Sequence, residues 1–241
     1  MMRLDKFLSV TGTASRKESA ALLKKGRITL NGAPVLKGET KINEERDEIR
    51  LDGAPIVYQK HRYIMLHKPQ GYVSSTDDPS GPTVLELLPE KERRALFPCG
   101  RLDKNTTGLL ILTDDGKLAH RLLSPKHHAT KEYHFTCQRK VTEQDVMDLE
   151  NGVDIGGYIT KPCKLTLFDD LSGSITLTEG KYHQIKLMFS ARCNKILTLH
   201  RRSFGGVSLD PALKEGQYRS LTPQERTILL NSTTQTKEET P

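Results

Sequence analysis

What most limits the fold open to this chain is a series of short strand-like runs that never alternate regularly with helices. Tyr63-Ile64-Met65-Leu66, the fully apolar Gly108-Leu109-Leu110-Ile111-Leu112, and stretches 132–137, 164–168, 174–177 and 195–199 all read as strands. Helix signals fall between them at 117–123, at 143–149 (entered at Thr142, left at Gly152) and at 183–189. A last helix is announced by Thr222-Pro223-Gln224-Glu225, an N-cap followed by proline and a capping glutamate. Lys68-Pro69-Gln70-Gly71 reads as a turn. Strands mixed with helices in this way predict an α+β domain around a mostly antiparallel mixed sheet.

The first sixty residues read differently, as a compact αα-β unit. Leu4, Phe7 and Leu8 recur at helical spacing, and Ser15-Arg16-Lys17-Glu18 has the form of a capping box. Ala20, Ala21 and Leu23 carry a second helix to Gly26, a natural stop. Arg27-Ile28-Thr29-Leu30 alternates like a strand, and Asn31-Gly32 signals a two-residue hairpin before Pro34-Val35-Leu36. A further strand, 48–51, runs into Asp52-Gly53. The polar stretch 58–62 is the expected linker, so the predicted domains are 1–60 and 61–232. The polar end of the chain, 233–241, is expected to be disordered. There is no internal repeat.

Charge is distributed unevenly. Of the net +7, residues 1–30 hold Arg3, Lys6, Arg16, Lys17, Lys24, Lys25 and Arg27 against Asp5 and Glu18. Residues 31–60 are nearly balanced, whereas 180–209 contain no acid but carry Lys181, Lys186, Arg192, Lys195, Arg201 and Arg202. Two separate basic surfaces point to a polyanion gripped at two places, and nucleic acid is the expected partner. No run is long and apolar enough for a membrane span, and the N-terminus lacks the apolar centre of a signal peptide, so the expected location is the cytoplasm. Cys99, Cys137, Cys163 and Cys193 form no C-x-x-C pair and read as inert core residues. His127-His128, with His134 nearby, lacks the ligand spacing of a metal site, and none is expected.

Gly-rich phosphate loops, nucleophile elbows and H-E-x-x-H are all missing. The segment that could carry chemistry is Gly100-Arg101-Leu102-Asp103-Lys104-Asn105-Thr106-Thr107-Gly108, polar loop residues between apolar runs. Asp103, between two cations, suits a carboxylate kept ionised. An aspartate closing a turn fits the same spacing.

Two resemblances sharpen these readings. Leu4-Asp5-Lys6-Phe7-Leu8, Ser15-Arg16 and Ile28-Thr29-Leu30-Asn31-Gly32 resemble the S4-like RNA-binding module, whose basic helix pair lies on structured RNA. Gly100-Arg101-Leu102-Asp103, Thr106-Thr107-Gly108-Leu109-Leu110 and Thr113-Asp114-Asp115-Gly116 resemble the signature of the RNA pseudouridine synthases. The likeness continues through His67–Gly71, Ser124-Pro125, Lys131-Glu132-Tyr133, Glu179–Lys186, Leu199-His200-Arg201 and Gly205-Gly206, in order along nearly the whole chain. Ser75–Pro79, Pro125–His128 and Tyr182-His183-Gln184 before a lysine resemble the branch that modifies small-subunit (16S) rRNA.

The resemblance implies that a uridine in RNA becomes its carbon-linked isomer, uridine 516 for this branch, without redox or energy cofactor. The target must leave its stack to be reached. Asp103 is then the essential carboxylate, either attacking the anomeric carbon or stabilising positive charge there and taking a proton from the neighbouring ribose carbon. Lys186 corresponds to the basic residue that pairs with it, although much of the superfamily has arginine, so the bidentate fork becomes a point charge. Tyr133 corresponds to the aromatic residue that stacks on the base, with a hydroxyl that could help remove the carbon-5 proton. Arg101, Leu102 and Leu199 are expected to line the pocket. Arg201 joins the seven N-terminal cations as an expected RNA contact. His127 and His128 acquire no role. The expected partner is 16S rRNA or a small-subunit assembly intermediate, bound by a monomer. A large-subunit rRNA enzyme and a non-catalytic assembly factor are the competing readings.

Overall fold

The computed structural model describes residues 1–44, 46–56, 58, 60–79, 81–124 and 129–232. The chain divides into two compact units, Met1–Lys60 and His61–Pro241. His127, His128 and the expected disordered end lie outside the described residues, as do Val57 and Gln59 beside the expected linker.

In the first unit, β1 (Met2–Arg3) leads into α1 (Leu4–Val10) and α2 (Arg16–Lys24). Ser15 caps α2 reciprocally: its backbone amide donates to Glu18 Oε2 at 2.8 Å and its hydroxyl accepts from the Glu18 amide at 3.3 Å. The strands β2 (Ile28–Leu30), β3 (Ala33–Pro34), β4 (Lys41–Ile42), β5 (Ile49–Leu51) and β6 (Ala54–Pro55) follow. A small sheet runs β3-β2-β5-β6, and β1 pairs with β4. Asn31 and Gly32 both take positive φ, 51° and 85°, which is what a two-residue turn of the primed type requires. Leu4, Phe7, Leu8, Leu23, Ile28, Ile42 and Ile49 close a separate core. Ser19 and Leu23 are the buried positions of α2, while Ala20 and Ala21 face solvent.

The second unit is built on one large sheet. Its elements are β7 (Tyr63–Lys68), α3 (Glu90–Arg93), β8 (Phe97–Cys99), β9 (Thr107–Thr113), α4 (Gly116–Leu123), β10 (Lys131–Cys137) and α5 (Glu143–Asn151). Then come β11 (Lys164–Leu167), β12 (Ser172–Leu177), α6 (Gln184–Ala191), β13 (Ile196–Phe204), β14 (Val207–Ser208), β15 (Tyr218–Ser220) and α7 (Pro223–Asn231). The main strand order is β11-β12-β10-β13-β9-β7-β15, with β8 on β9 and β14 on β13. Pairing is antiparallel except for β13 with β9.

The apolar run of β9 has a clear cause. Leu110 and Leu112 enter a core with α5 and α6, whereas Leu109 and Ile111 enter another with α4 and α7. A strand covered on both faces must be apolar throughout. By contrast β10 alternates, with Tyr133, Phe135 and Cys137 buried and Glu132, His134 and Thr136 partly exposed. Among the described residues, no helix is long and apolar enough to cross a membrane. Cys99 and Cys137 are buried, but Cys163 is only partly so and Cys193 is exposed, so the expectation of four core thiols fails there. Cys193 sits just past α6 at positive φ, 53°, outside the packed face of that helix.

Candidate active site

The loop between β8 and β9 carries Asp103, and its shape is fixed by groups clamping its backbone. The Ser74 hydroxyl donates to the Leu102 carbonyl at 2.9 Å and accepts from the Leu102 amide at 3.0 Å. Lys68, wholly buried, donates to the carbonyls of Pro69 and Thr106 at 2.9 Å and of Lys104 at 3.3 Å. Burial pushes the Lys68 ammonium down to about 8, with the Asp103 carboxylate opposing that shift. A turn closes behind the site residue, the Thr106 amide donating to the Asp103 carbonyl at 3.0 Å. The Asp103 side chain itself does not close the turn.

Instead that side chain meets the start of α6. Lys186 Nζ lies 2.5 Å from Asp103 Oδ2, and His183 Nε2 lies 3.5 Å from Oδ1. His183 caps α6 in the left-handed region, φ 50°, which costs a non-glycine residue energy and turns its ring out of the helical path. Each carboxylate oxygen therefore has its own neighbour. The carboxylate keeps about a quarter of its surface open to solvent.

The opposite wall comes from β10 and β13. Tyr133 pairs across the ladder with Arg201, and Phe135 with Leu199. The register shifts between Glu132 and Tyr133, and such a bulge re-aims the side chains beside it. β13 approaches β9 so closely that a Cβ on Gly108 would stand 2.3 Å from the Arg201 carbonyl oxygen, and Gly108 has φ 106°. Only glycine fits there. Together these walls enclose a cleft of about 670 Å³ whose lining includes Leu102, Asp103, Tyr133, Lys186, Leu199 and Arg201. That size lies within the usual range for small-ligand sites.

The sequence-predicted residues separate into groups. Asp103, Tyr133, Lys186, Leu102 and Leu199 converge on the cleft, and Arg101 lines it with an exposed side chain. Arg201 departs from expectation: it is 1 % exposed, so it is no surface contact. Its Nε donates to the Leu109 carbonyl at 2.7 Å, and its guanidinium lies 5.0 Å from the Phe204 ring and 5.9 Å from that of Tyr133. Alternation with Leu199 along one strand was the signal that this arginine points inward. Arg3, Lys6, Arg16, Lys17, Lys24, Lys25 and Arg27 are all exposed on the first unit. Arg3 pairs with Asp5, and Arg27 with Asp52. Sequence reasoning missed Lys68, Ser74 and His183 as site residues; nothing in their spacing reveals that they grip or face Asp103.

Comparison with known proteins agrees with this geometry. Residues 62–191 match the RNA pseudouridylate synthase family, and residues 2–49 match the S4 domain. The chain is 46% identical over 234 residues to YtzG of Bacillus subtilis (strain 168), named an uncharacterized RNA pseudouridine synthase, covering 95% of this chain and 98% of that one. It is 41% identical over 227 residues to ribosomal small subunit pseudouridine synthase A of Escherichia coli (strain K12), covering 93% and 98%. A crystal structure of a pseudouridylate synthase superposes with a TM-score of 0.68 at 39% identity, over 95% of this chain and all of that one. With an S4 domain ahead of a sheet whose cleft holds Asp103 and Lys186, the chain belongs to the RNA pseudouridine synthase family of isomerases.

Proposed function

We propose that this protein converts a uridine of small-subunit ribosomal RNA, uridine 516, to pseudouridine, with Asp103 as the catalytic carboxylate. The observation that carries the reading is the Lys186–Asp103 pair, 2.5 Å apart, in a cleft walled by Tyr133 and Leu199. Similarity over 93% of the chain to an enzyme named for the small ribosomal subunit supports the choice of RNA.

The proposed mechanism follows from what these groups can do. The target uridine leaves its stack and enters the cleft, at a cost of a few kcal/mol. Asp103 then attacks the anomeric carbon or stabilises the positive charge that forms as the bond to ring nitrogen breaks. Glycosidases need a second carboxyl group to protonate the leaving group. Uracil can depart as an anion, so one carboxylate suffices. Lys186, in contact with Oδ2, orients that carboxylate. Tyr133 offers its ring as a surface on which uracil turns; carbon 5 then bonds to the anomeric carbon as Asp103 is released, and the Tyr133 hydroxyl helps pass the carbon-5 proton to the ring nitrogen that the sugar left. The first unit supplies exposed cations for RNA phosphates.

The test is to incubate the protein with separate, deproteinised small- and large-subunit rRNAs and map new pseudouridine. One new site at position 516 of the small-subunit RNA is expected. Modification confined to large-subunit RNA contradicts the choice of substrate, and none in either RNA or in a small-subunit assembly intermediate contradicts the reading.

A further inference from the structure

The cleft rim holds an aromatic ring that the chemistry above does not use. Tyr182 is 77% exposed, the most exposed tyrosine or phenylalanine among the described residues, yet it lines the cleft. A ring at the rim of a cleft offers a flat face on which a planar ligand can stack. Its ring is stacked on that of His183, centroids 3.8 Å apart and planes 20° from parallel. His183 in turn faces Asp103. With one face against His183 and most of its surface in solvent, the ring presents its other face outward.

The loop beneath Tyr182 is braced. Buried Glu179 accepts from Tyr158 Oη at 2.6 Å, from the Lys161 amide at 3.0 Å and from Gln184 Nε2 at 2.7 Å. Burial pushes Glu179 up, but these donors outweigh it and hold the carboxyl below its usual range. Gln184 Oε1 accepts from the Lys181 amide at 2.8 Å, and Lys181 Nζ lies over the Tyr158 ring at 4.2 Å. An exposed ring on a fixed loop loses little freedom on binding.

We propose that Tyr182 is a stacking platform for the nucleobase next to the target uridine. The inference rests on the proposed RNA activity and goes beyond it, because it assigns a second base-binding position outside the reaction pocket. Pulling one nucleotide out of a stack leaves its neighbour with an uncovered face. An aromatic ring at the cleft mouth replaces the missing partner, and it accepts any base because each has a π-face. The ligand is thus a flanking nucleobase of single-stranded or opened RNA, with no sequence preference demanded by the ring itself.

The test compares native protein with Tyr182→Ala, Tyr182→Phe and Tyr182→Trp on one deproteinised small-subunit rRNA fragment containing the modified uridine. Because the side chain is exposed, these variants keep the fold. Tyr182→Ala is expected to raise KM and Kd by about 5- to 150-fold, the factor equal to about 1–3 kcal/mol per stacked base, while kcat changes less than about threefold. Phe and Trp are expected to restore native KM. In fragments made abasic at one flanking nucleotide, native protein and Tyr182→Ala are expected to bind alike. An unchanged KM in Tyr182→Ala overturns the platform, as does a loss that Phe and Trp do not rescue or that persists at both abasic positions. Native protein that modifies no rRNA overturns the underlying activity, a result separate from normal modification by native and Ala variants alike.

Discussion

Lysine and arginine serve two opposite physical roles in the two units. In the first, Lys6, Arg16, Lys17, Lys24 and Lys25 stand in solvent on or beside two short helices. Around the cleft of the second, Lys68, Lys131 and Arg201 are buried, and burial pushes both lysines down to about 8. Surface cations act on a polyanion through a field that salt screens, and each contributes a similar increment. Buried cations act through fixed positions: Lys68 holds three carbonyls and Arg201 fills the space beside Tyr133. One set is interchangeable; the other is specific to position.

The largest expected effect tests the specific set at its centre. Asp103→Asn is expected to lower single-turnover pseudouridine formation by roughly 10⁴-fold or more, while Kd for rRNA moves only a few-fold. Equal loss of both would make Asp103 a folding or binding residue. Lys68→Met comes next, since it leaves the carbonyls of Pro69 and Thr106 without this donor. A stability loss of about 2–4 kcal/mol is expected in urea titrations, with lower kcat and nearly unchanged Kd. Unchanged stability and kcat would remove Lys68 from the support of the loop.

Doubly substituted Lys24→Gln/Lys25→Gln probes the interchangeable set. Weaker binding by a few-fold is expected, and the slope of log K against log salt should fall by roughly 0.7–0.9 for each phosphate no longer neutralised, with kcat unchanged. An unchanged slope would mean that these lysines touch no phosphate. The smallest effect concerns His200, whose Nδ1 lies 2.8 Å from Thr107 Oγ1. Burial, reinforced by His67 and Arg202, pushes its imidazole down to about 4 from the ordinary 6.5. The unfolded chain therefore takes up a proton between those values that the folded protein refuses. This contribution is full above pH 6.5 and disappears as pH falls through 4, a decline that His200→Gln should flatten in urea titrations across that range.

How much of this was readable in the chain depended on whether local pattern or distant packing set each position. The α5 helix begins at Glu143 after Thr142 and ends before Gly152 because caps are local chemistry. Strand β10 showed its alternation because one face is buried. Strand β8 was not foreseen, since Pro98 inside Phe97-Pro98-Cys99 argues against a strand; among the described residues the segment pairs only with β9, where a missing amide is tolerated. Strand β13 extends to Phe204 rather than stopping at Leu199, as its polar His200-Arg201-Arg202 had suggested.

The cleft followed the same rule. Gly100-Arg101-Leu102-Asp103 marked a loop able to present a side chain, but Lys186 is 83 residues further along and no spacing joins them. Family resemblance supplied that pairing as an expectation. Lys68 read as part of a turn because its burial depends on carbonyls 36 and 38 residues away. His183 read as an ordinary helical residue, since its left-handed backbone leaves no mark in composition.

The most direct test of the central claim is a structure of full-length Asp103→Asn bound to a small-subunit rRNA fragment carrying the target uridine. The account predicts an extruded uridine with its anomeric carbon within about 3.5 Å of the position 103 side chain and its ring against Tyr133. A target uridine still stacked in the RNA, or seated away from position 103, would contradict it.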